Sequence, residues 1–342
     1  MKTKLLSLPE ASLVYNKMPN YLKIPSINPN YIICDSKRDK NIELNFWYAE
    51  KGSKFFLYSF YKNFIKEFNI FDIESPYGYG GPISNSKEKQ FINEVAENFS
   101  QWCNQNNIIV EFLRFHPLIN HINFYWGTKK YNRKTICMDL DSEITTQYRP
   151  RRQKDLKEIK KYNYTLNKAT TIDEKIKFKH IYIENMNDIN AKEFYFFNNE
   201  YFDCLFENDI CDIWFVKYNN VIIATTSILK NKYSRCVEYH LSARVKYEKK
   251  FKEINKNVFT YSQVYMLNAL ASYYKDNKYK LFYLGGGRSS DPKDSLFFFK
   301  NGFSNTLIDF EIAYHIHDKK KYMEIKKHLS TNFNINNILF YR

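Results

Sequence analysis

A single lysine stands inside an otherwise apolar run near the end of the chain. Lys300 follows three phenylalanines and precedes Asn301-Gly302-Phe303. Because an unpaired ammonium is costly to bury, such a lysine either extends its charged end to solvent or directs it at negative charge. Acyl transfer develops such a charge on the oxygen of its tetrahedral intermediate. Lys300 is therefore a candidate catalytic residue for acyl transfer.

Glycine is scarce in this chain, and most of it lies in two clusters. Nine glycines occur among 342 residues. Six of them fall within residues 75–82 and 283–291, namely Gly78, Gly80, Gly81, Gly285, Gly286 and Gly287. Glycine suits places where the backbone bends sharply or approaches a ligand closely. Both clusters are candidate substrate-binding loops, and two tight turns without a ligand are the alternative.

The chain is strongly basic, with 52 Lys and Arg against 37 Asp and Glu and a formal net charge of +15. Its densest positive segment is a predicted helix over residues 150–162. The candidate anion-binding residues of this segment are Arg149, Arg151, Arg152, Lys154 and Lys157. A solvated helix face is the alternative interpretation of the segment. The overall charge also fits a compositional bias towards Lys, Asn, Ile, Tyr and Phe.

Several classes of site and of protein are excluded by motif and spacing. The sequence has no P-loop, no G-x-S-x-G, no H-E-x-x-H and no G-x-G-x-x-G after a strand. Six cysteines without a C-x-x-C pair, and the pair His315 and His317 without a third ligand nearby, argue against a metal site. No stretch of about 18 apolar residues occurs, and the first residues do not resemble a secretory signal. We therefore expect a cytoplasmic protein without a transmembrane segment.

The elements that must position these residues occur in the same order in both halves. A strand, a polar or Gly-rich break, an amphipathic helix, a second strand and a loop follow one another. The apolar positions of the two helices are Ile92, Val95, Ala96, Phe99, Trp102 and Cys103, and Val264, Leu267, Ala271 and Tyr274. The alternation predicts an α/β (α+β) protein with two similar domains. Residues 145–150, ending in Pro150, mark the predicted boundary.

Six motifs, taken in order along nearly the whole chain, resemble the FemABX (Fem-type) aminoacyltransferases. They are Tyr-Gly-Tyr-Gly-Gly-Pro at 77–82, Arg-Phe-His-Pro-Leu at 114–118, the basic helix from Arg151, Tyr-His-Leu-Ser at 239–242, Leu-Gly-Gly-Gly-Arg at 284–288 and Phe-Lys-Asn-Gly-Phe at 299–303. The resemblance implies two tandem GNAT-like domains, with mixed sheets flanked by helices and a shared cleft. We place the first domain at 1–146, completed by about 316–342, and the second, with the reaction centre, at 147–315.

The resemblance also implies an activity and a set of site residues. Family members form an amide from aminoacyl-tRNA on an amine of a cell-envelope precursor, and the lysine that matches Lys300 assists catalysis. Independently of the resemblance, the amine must lose a proton, and His240 and His116 are both candidates to accept it. The remaining motif residues are candidate substrate contacts, namely Tyr77, Tyr79, Arg114, His116, Tyr239, Ser242, Gly285, Gly286, Gly287, Arg288 and Phe299.

Three functions remain open from the sequence. The first is an aminoacyltransferase for a nucleotide- or lipid-linked amino sugar or peptide, with tRNA as donor carrier, no bound cofactor and a possible place at the inner membrane face. The second is a GNAT-type N-acyltransferase that uses acetyl-CoA or another acyl-CoA on an amino sugar of surface polysaccharide. The segment 251–259, where such enzymes carry a Gly-rich pyrophosphate loop, has no glycine. The third is a non-catalytic polyanion-binding protein.

Overall fold

The computed structural model describes residues 1–246, 254–291, 293–329 and 337–341. The elements of the first part of the chain are β1 (Lys2–Leu5), α1 (Leu8–Lys17), α2 (Pro29–Ser36), β2 (Glu43–Lys51), β3 (Lys54–Ile65), β4 (Ile70–Glu74), β5 (Ile83–Ser84), α3 (Lys89–Gln105), β6 (Ile108–Arg114) and β7 (Thr128–Asp139). Those that follow are α4 (Pro150–Ile159), β8 (Tyr164–Lys168), α5 (Ile172–Asp188), α6 (Asn199–Glu207), β9 (Cys211–Tyr218), β10 (Val221–Asn231), β11 (Cys236–Arg244), α7 (Lys256–Asp276), β12 (Leu281–Gly285), α8 (Ser295–Asn301), β13 (Leu307–Ile316) and α9 (Lys319–His328). The predicted α/β class is confirmed.

The chain divides into two compact units. Unit 1 consists of Met1–Arg133 and Asp309–Arg342, and unit 2 of Lys134–Ile308. These limits lie earlier in the chain than the proposed domain limits at 146 and 316. No helix in the described part of the chain is long and apolar enough to cross a membrane.

Unit 1 is built on a mixed sheet with the strand order β1-β2-β3-β4-β6-β13. All neighbours are antiparallel except β4 and β6, which are parallel and are joined through α3. The helix α3 buries Phe91, Ile92, Val95, Phe99 and Cys103. Apart from the adjacent pair Phe91 and Ile92, these positions recur every three or four residues, so they form one face that packs on the core. The predicted amphipathic helix is present.

Unit 2 repeats this topology with the strand order β8-β9-β10-β11-β12-β7. The parallel pair is now β11 and β12, joined through α7, and every other neighbouring pair is antiparallel. The buried side of α7 includes Val264, Leu267, Ala271 and Tyr274, as the periodicity predicts. Each unit therefore has a four-stranded antiparallel meander, a helix, a parallel fifth strand and an antiparallel sixth strand.

The sixth strand of each sheet comes from the other half of the sequence. The strand that follows β6 along the chain is β7, and it pairs with β12. The strand that follows β12 is β13, and it pairs with β6. The two sequence halves have therefore exchanged their last strands.

Candidate active site in unit 2

Strand β11 contains a β-bulge near its centre. Ser227 of β10 lies opposite two residues of β11, His240 and Leu241, so the register shifts between Thr226 and Ile228. The Ser227 hydroxyl accepts a hydrogen bond from the Leu241 N–H at 3.1 Å, and the Thr226 hydroxyl donates to the Leu241 carbonyl at 2.8 Å. Side chains thus satisfy the N–H and carbonyl of Leu241 at the bulge. A bulge of this kind changes the direction of the side chains that follow it.

The parallel strands β11 and β12 separate directly before this bulge. They pair only over Cys236–Glu238 and Leu281–Tyr283. From Tyr239 onward the described partner of β11 is β10, and β12 ends at Gly285 with φ +76°. In α/β sheets, ligands bind beyond the carboxyl ends of parallel strands. The separation of β11 from β12 is therefore a candidate ligand site.

Lys300 lies at this separation, on the last turn of α8. Its Nζ donates a hydrogen bond to the Gly286 carbonyl at 3.1 Å and lies 5.5 Å from the centroid of the Tyr239 ring. Only 8% of the residue is exposed. Burial lowers the pKa of Lys300 to about 8, and the carboxylate of Asp294 opposes this shift. The ammonium retains further N–H donors for a ligand beyond the one that Gly286 accepts.

Asp294 organises the loop that carries the second glycine cluster. Its Oδ1 accepts hydrogen bonds from the Leu296 and Phe297 N–H groups, which caps α8, and its Oδ2 accepts from those of Arg288 and Ser289. Burial raises the pKa of Asp294, but these four hydrogen bonds outweigh it and hold that pKa below its usual value. One carboxylate thus joins the glycine loop to the helix of Lys300.

Gly287 has no space for a side chain, because a Cβ there would lie 2.5 Å from Oδ1 of Asp294 and 2.9 Å from Cβ of Phe297. Gly285 has φ +76°, a backbone conformation that favours glycine over residues with a side chain. The carbonyl of Gly286 accepts the hydrogen bond of Lys300. Arg288 is exposed and donates to the Ser295 hydroxyl at 3.3 Å.

The predicted residues of β11 lie beside the same separation. Burial raises the pKa of Tyr239 to about 12, and a hydrogen bond with Ser242 opposes this. Nε2 of His240 lies 2.5 Å from the hydroxyl oxygen of Tyr201, and burial lowers the pKa of His240 to about 3. An imidazole with so low a pKa is neutral at pH 7 and holds an accepted proton poorly. This weakens the case for His240 as the base.

The basic helix α4 has exposed and buried arginines. Arg151, Lys154 and Lys157 are exposed and lie three residues apart, so they share one face, which we call the basic stripe. Arg149 is also exposed, but its guanidinium donates to the carbonyl of Asn301 at 3.0 Å. Arg152 is 6% exposed and forms an ion pair with Asp155. Arg152 is therefore not placed to meet an anion in solvent.

The predicted residues of unit 1 lie in and around the first glycine cluster. The Tyr77 N–H donates to the buried carboxylate of Asp35 at 2.8 Å. Arg114 donates to Glu74 at 2.7 Å. The ring of Tyr79 packs edge-on against that of His116, with centroids 5.0 Å apart, and His116 is buried.

In unit 1, the first glycine cluster lies at the end of the parallel strands β4 and β6, the position at which the parallel strands β11 and β12 of unit 2 separate. Beyond β4, the Gly80 N–H donates to the Arg114 carbonyl at 2.7 Å, and Gly80 forms a parallel bridge with Phe115. A Cβ at Gly81 would lie 2.9 Å from the Phe115 ring and 3.0 Å from that of His121. The segment 75–82 therefore packs tightly along the end of β6. The parallel strands of unit 1 are thereby extended by a turn, whereas those of unit 2 separate.

Sequence reasoning missed Asp294, Tyr201 and the pair Thr226 and Ser227. Asp294 had a usable signal, because an Asp two residues before the apolar run Leu296–Phe299 is a typical helix cap. The role of Thr226 and Ser227 depends on a register shift that a single sequence does not reveal. Among the described residues, no group of three or more His, Cys, Asp or Glu could hold a metal ion.

Comparison with known proteins gives similarity in structure only. No protein-family model matches the chain, and no curated protein matches it. The crystal structure of FemX matches with a TM-score of 0.67 at 11% identity, covering 95% of this chain and 100% of that chain. This chain shares its fold with FemX. The structure of L-PGS from Bacillus licheniformis also matches, with a TM-score of 0.60 at 12% identity, covering 94% of this chain and 95% of that chain. The predicted resemblance to the FemABX fold, with its tandem domains, is confirmed.

Proposed function

We propose that this protein is an acyltransferase that moves an aminoacyl group from aminoacyl-tRNA onto an amino group of a cell-envelope precursor. The acceptor is a nucleotide- or lipid-linked amino sugar or peptide, met in the cytoplasm at the inner membrane face. The observation that carries this proposal is the separation of β11 from β12 with the buried ammonium of Lys300 beside it. The fold shared with FemX supports the reaction class.

The reaction uses the charge of Lys300. The acceptor amine attacks the ester carbonyl as the free base, so that a C–N bond forms and negative charge develops on the carbonyl oxygen. The ammonium of Lys300 donates a hydrogen bond to that oxygen. When the intermediate collapses, the ester C–O bond breaks and the proton lost by the nitrogen passes to the leaving ribose oxygen. The activated ester supplies the driving force, so no covalent enzyme intermediate is needed.

Two neighbouring groups, Asp294 and His240, have separate supporting roles. Asp294 fixes both the glycine loop and the start of α8, so the Gly286 carbonyl and the Lys300 ammonium keep a constant separation. His240 stays neutral at the pH of the reaction. We propose that it positions the Tyr201 hydroxyl and does not take the proton of the amine.

Activity that depends on the Lys300 ammonium is expected to fall as pH rises through about 8, the value to which burial lowers its pKa. Below that pH the side chain is charged, and above it the side chain is neutral and donates weakly. The measurement is kcat/KM between pH 6 and about 10, compared with Lys300→Met, which should lack this falling limb. A limb that rises through pH 8 in the wild type and is absent from Lys300→Met would mean that neutral Lys300 acts as a base and would contradict the oxyanion role. A rising limb that both proteins share reports the acceptor amine, which attacks as the free base.

The basic stripe is the proposed contact for the tRNA backbone. Changing Arg151, Lys154 and Lys157 together to Glu should weaken tRNA binding and reduce the slope of log K against log[salt] by about 2 to 3, because each lost phosphate contact removes about 0.7 to 0.9. The measurement is tRNA affinity at several salt concentrations. Three other exposed lysines of unit 2, changed in the same way, form the matched control, namely Lys177, Lys192 and Lys232. Equal slopes in the two triple variants would leave the stripe as a solvated face.

A second candidate function uses an acyl-CoA donor. The helix α7 begins at Lys256 soon after the bulged strand, and a helix N-terminus can bind phosphate. The segment 251–259 contains no glycine, and its residues 251–253 lie outside the described residues.

One experiment compares the two donors directly. Amide formation on an amino-sugar or peptide acceptor is measured with charged tRNA and, separately, with acetyl-CoA, with Lys300→Met as the blank. Product from charged tRNA alone supports the first proposal, and product from acetyl-CoA alone replaces it with the second. If neither donor gives product above the blank, the catalytic proposal fails.

A further inference from the structure

The buried part of α4 is attached to the end of the helix that carries Lys300. The guanidinium carbon of Arg152 lies 4.9 Å from the ring centroid of Phe299 and 4.6 Å from that of Phe303. Its Nη2 donates to the Phe299 carbonyl at 3.1 Å, while Nη1 pairs with Asp155. Arg152 thus contacts residues on both sides of Lys300 in the sequence.

The residues around Arg152 strengthen this attachment. The Arg149 N–H donates to the Gly302 carbonyl at 3.0 Å, and the Arg149 guanidinium donates to the Asn301 carbonyl and to Oδ1 of Asn301. A Cβ at Gly302 would lie 2.9 Å from Nε and 3.1 Å from Nη2 of Arg152, so a larger residue there would press on the guanidinium. Arginines therefore donate to carbonyls at the C-terminal end of α8, where the Phe299 carbonyl also accepts a hydrogen bond from the Gly302 N–H at 3.3 Å.

A helix as short as α8, with 7 residues, has little stability of its own. Asp294 fixes its first turn, and Arg149 and Arg152 fix its last turn, where Lys300 lies. The charged or titratable groups placed around Lys300 are Asp294 on its own helix, Tyr239 on β11, and the two arginines of the α4 end.

We propose that Arg152 is a positioning residue for Lys300, so that α4 holds the catalytic ammonium with its buried side and offers the basic stripe to an anion with its exposed side. Arg152 acts through the stacked rings of Phe299 and Phe303 and the carbonyl of Phe299. The catalytic part of this inference rests on the proposed function, whereas the placement of Lys300 does not.

The test is the titration of Lys300 in the purified, full-length protein. The pH dependence of acylation of the Lys300 side chain by a trace amine-reactive reagent, read by mass spectrometry, gives its apparent pKa without any substrate. In Arg152→Gln we expect that pKa to rise by about one unit towards the ordinary lysine value, because a loosened α8 lets water reach the ammonium. Asp155→Asn, which removes the ion pair but leaves the stacked guanidinium, and Lys161→Gln on the exposed side should both match the wild type.

Activity gives the second readout. Arg152→Gln is expected to lower kcat by about 10-fold to 10²-fold with little change in KM, as for a small misplacement of a catalytic group. The triple variant of the basic stripe should do the reverse, raising KM for tRNA while the Lys300 pKa stays at its wild-type value.

Each outcome decides the question. A wild-type Lys300 pKa in folded Arg152→Gln overturns the proposal. If that variant does not fold, Arg152→Lys replaces it, because lysine keeps the charge for Asp155 but lacks the planar stacking, and an unchanged pKa there likewise overturns the proposal. If no donor gives activity while the pKa rises as expected, the proposed function fails and the positioning role of Arg152 stands.

Discussion

Lys300→Met is expected to lower kcat by about 10²-fold to 10³-fold with a much smaller change in KM, the loss typical of one preorganised donor to an oxyanion. The physical reason is that its ammonium is held by the Gly286 carbonyl and the Tyr239 ring in a largely buried position. A charge held there is little screened by water, and it needs no reorganisation when negative charge develops. The measurement is steady-state kinetics with whichever donor the comparison of charged tRNA and acetyl-CoA identifies.

The fold should survive this substitution. Methionine has nearly the length of lysine, and it removes a charge that burial disfavours, as the lowered pKa of Lys300 indicates. Thermal unfolding should therefore show no loss of stability at pH 7. Lys300→Arg is the matched variant that keeps the charge, and it should restore little activity because a planar guanidinium does not replace a compact ammonium. Near-normal turnover in the Met variant would exclude the proposed role.

Gly287→Ala is expected to have the second largest effect, a loss of about 10²-fold in activity. The new Cβ would overlap Oδ1 of Asp294 at 2.5 Å and approach Phe297, so the loop and the start of α8 must move apart. That movement separates the Gly286 carbonyl from Lys300 and displaces the ammonium. Overpacking of this kind costs about 1–3 kcal/mol in the free energy of unfolding, which leaves most of the protein folded.

Gly52→Ala is the control for a glycine substitution in itself. Gly52 has φ +61°, and a Cβ there would meet no atom within 4 Å, so its cost is conformational and not steric. We expect Gly52→Ala to lower thermal stability slightly and to leave kcat unchanged. If Gly287→Ala and Gly52→Ala reduced stability equally and neither reduced activity, the glycine loop would be a simple turn.

The parts of the fold that follow from local pattern could be predicted from sequence. The helices α3 and α7 each present apolar residues at intervals of three and four, and only one burial face satisfies that spacing. Pro150 begins α4, because proline suits the first turn of a helix. Lys300 was identifiable because a charge inside an apolar run is expensive unless it has a purpose.

The parts that depend on which elements meet could not be predicted in the same way. The sequences of β7 and β13 predict strands but do not indicate their partners. In the structure β7 pairs with β12, and β13 pairs with β6. Arg152 looks like its exposed neighbours in the sequence, and only its position between two phenylalanine rings distinguishes it. The two glycine clusters also look alike, yet one extends a strand pair with a turn and the other lines a separation.

The strand exchange determines the order in which the protein can fold on the ribosome. Unit 2 is one continuous stretch, Lys134–Ile308, and its sheet is complete once β12 and α8 have been synthesised. Unit 1 begins first but cannot be completed until the last residues emerge, because β6 has no sixth-strand partner before β13. During that interval β6 presents an open edge of the kind that pairs with other chains. A truncated chain that ends before residue 307, once released from the ribosome, should therefore hold a folded unit 2 and an aggregation-prone unit 1.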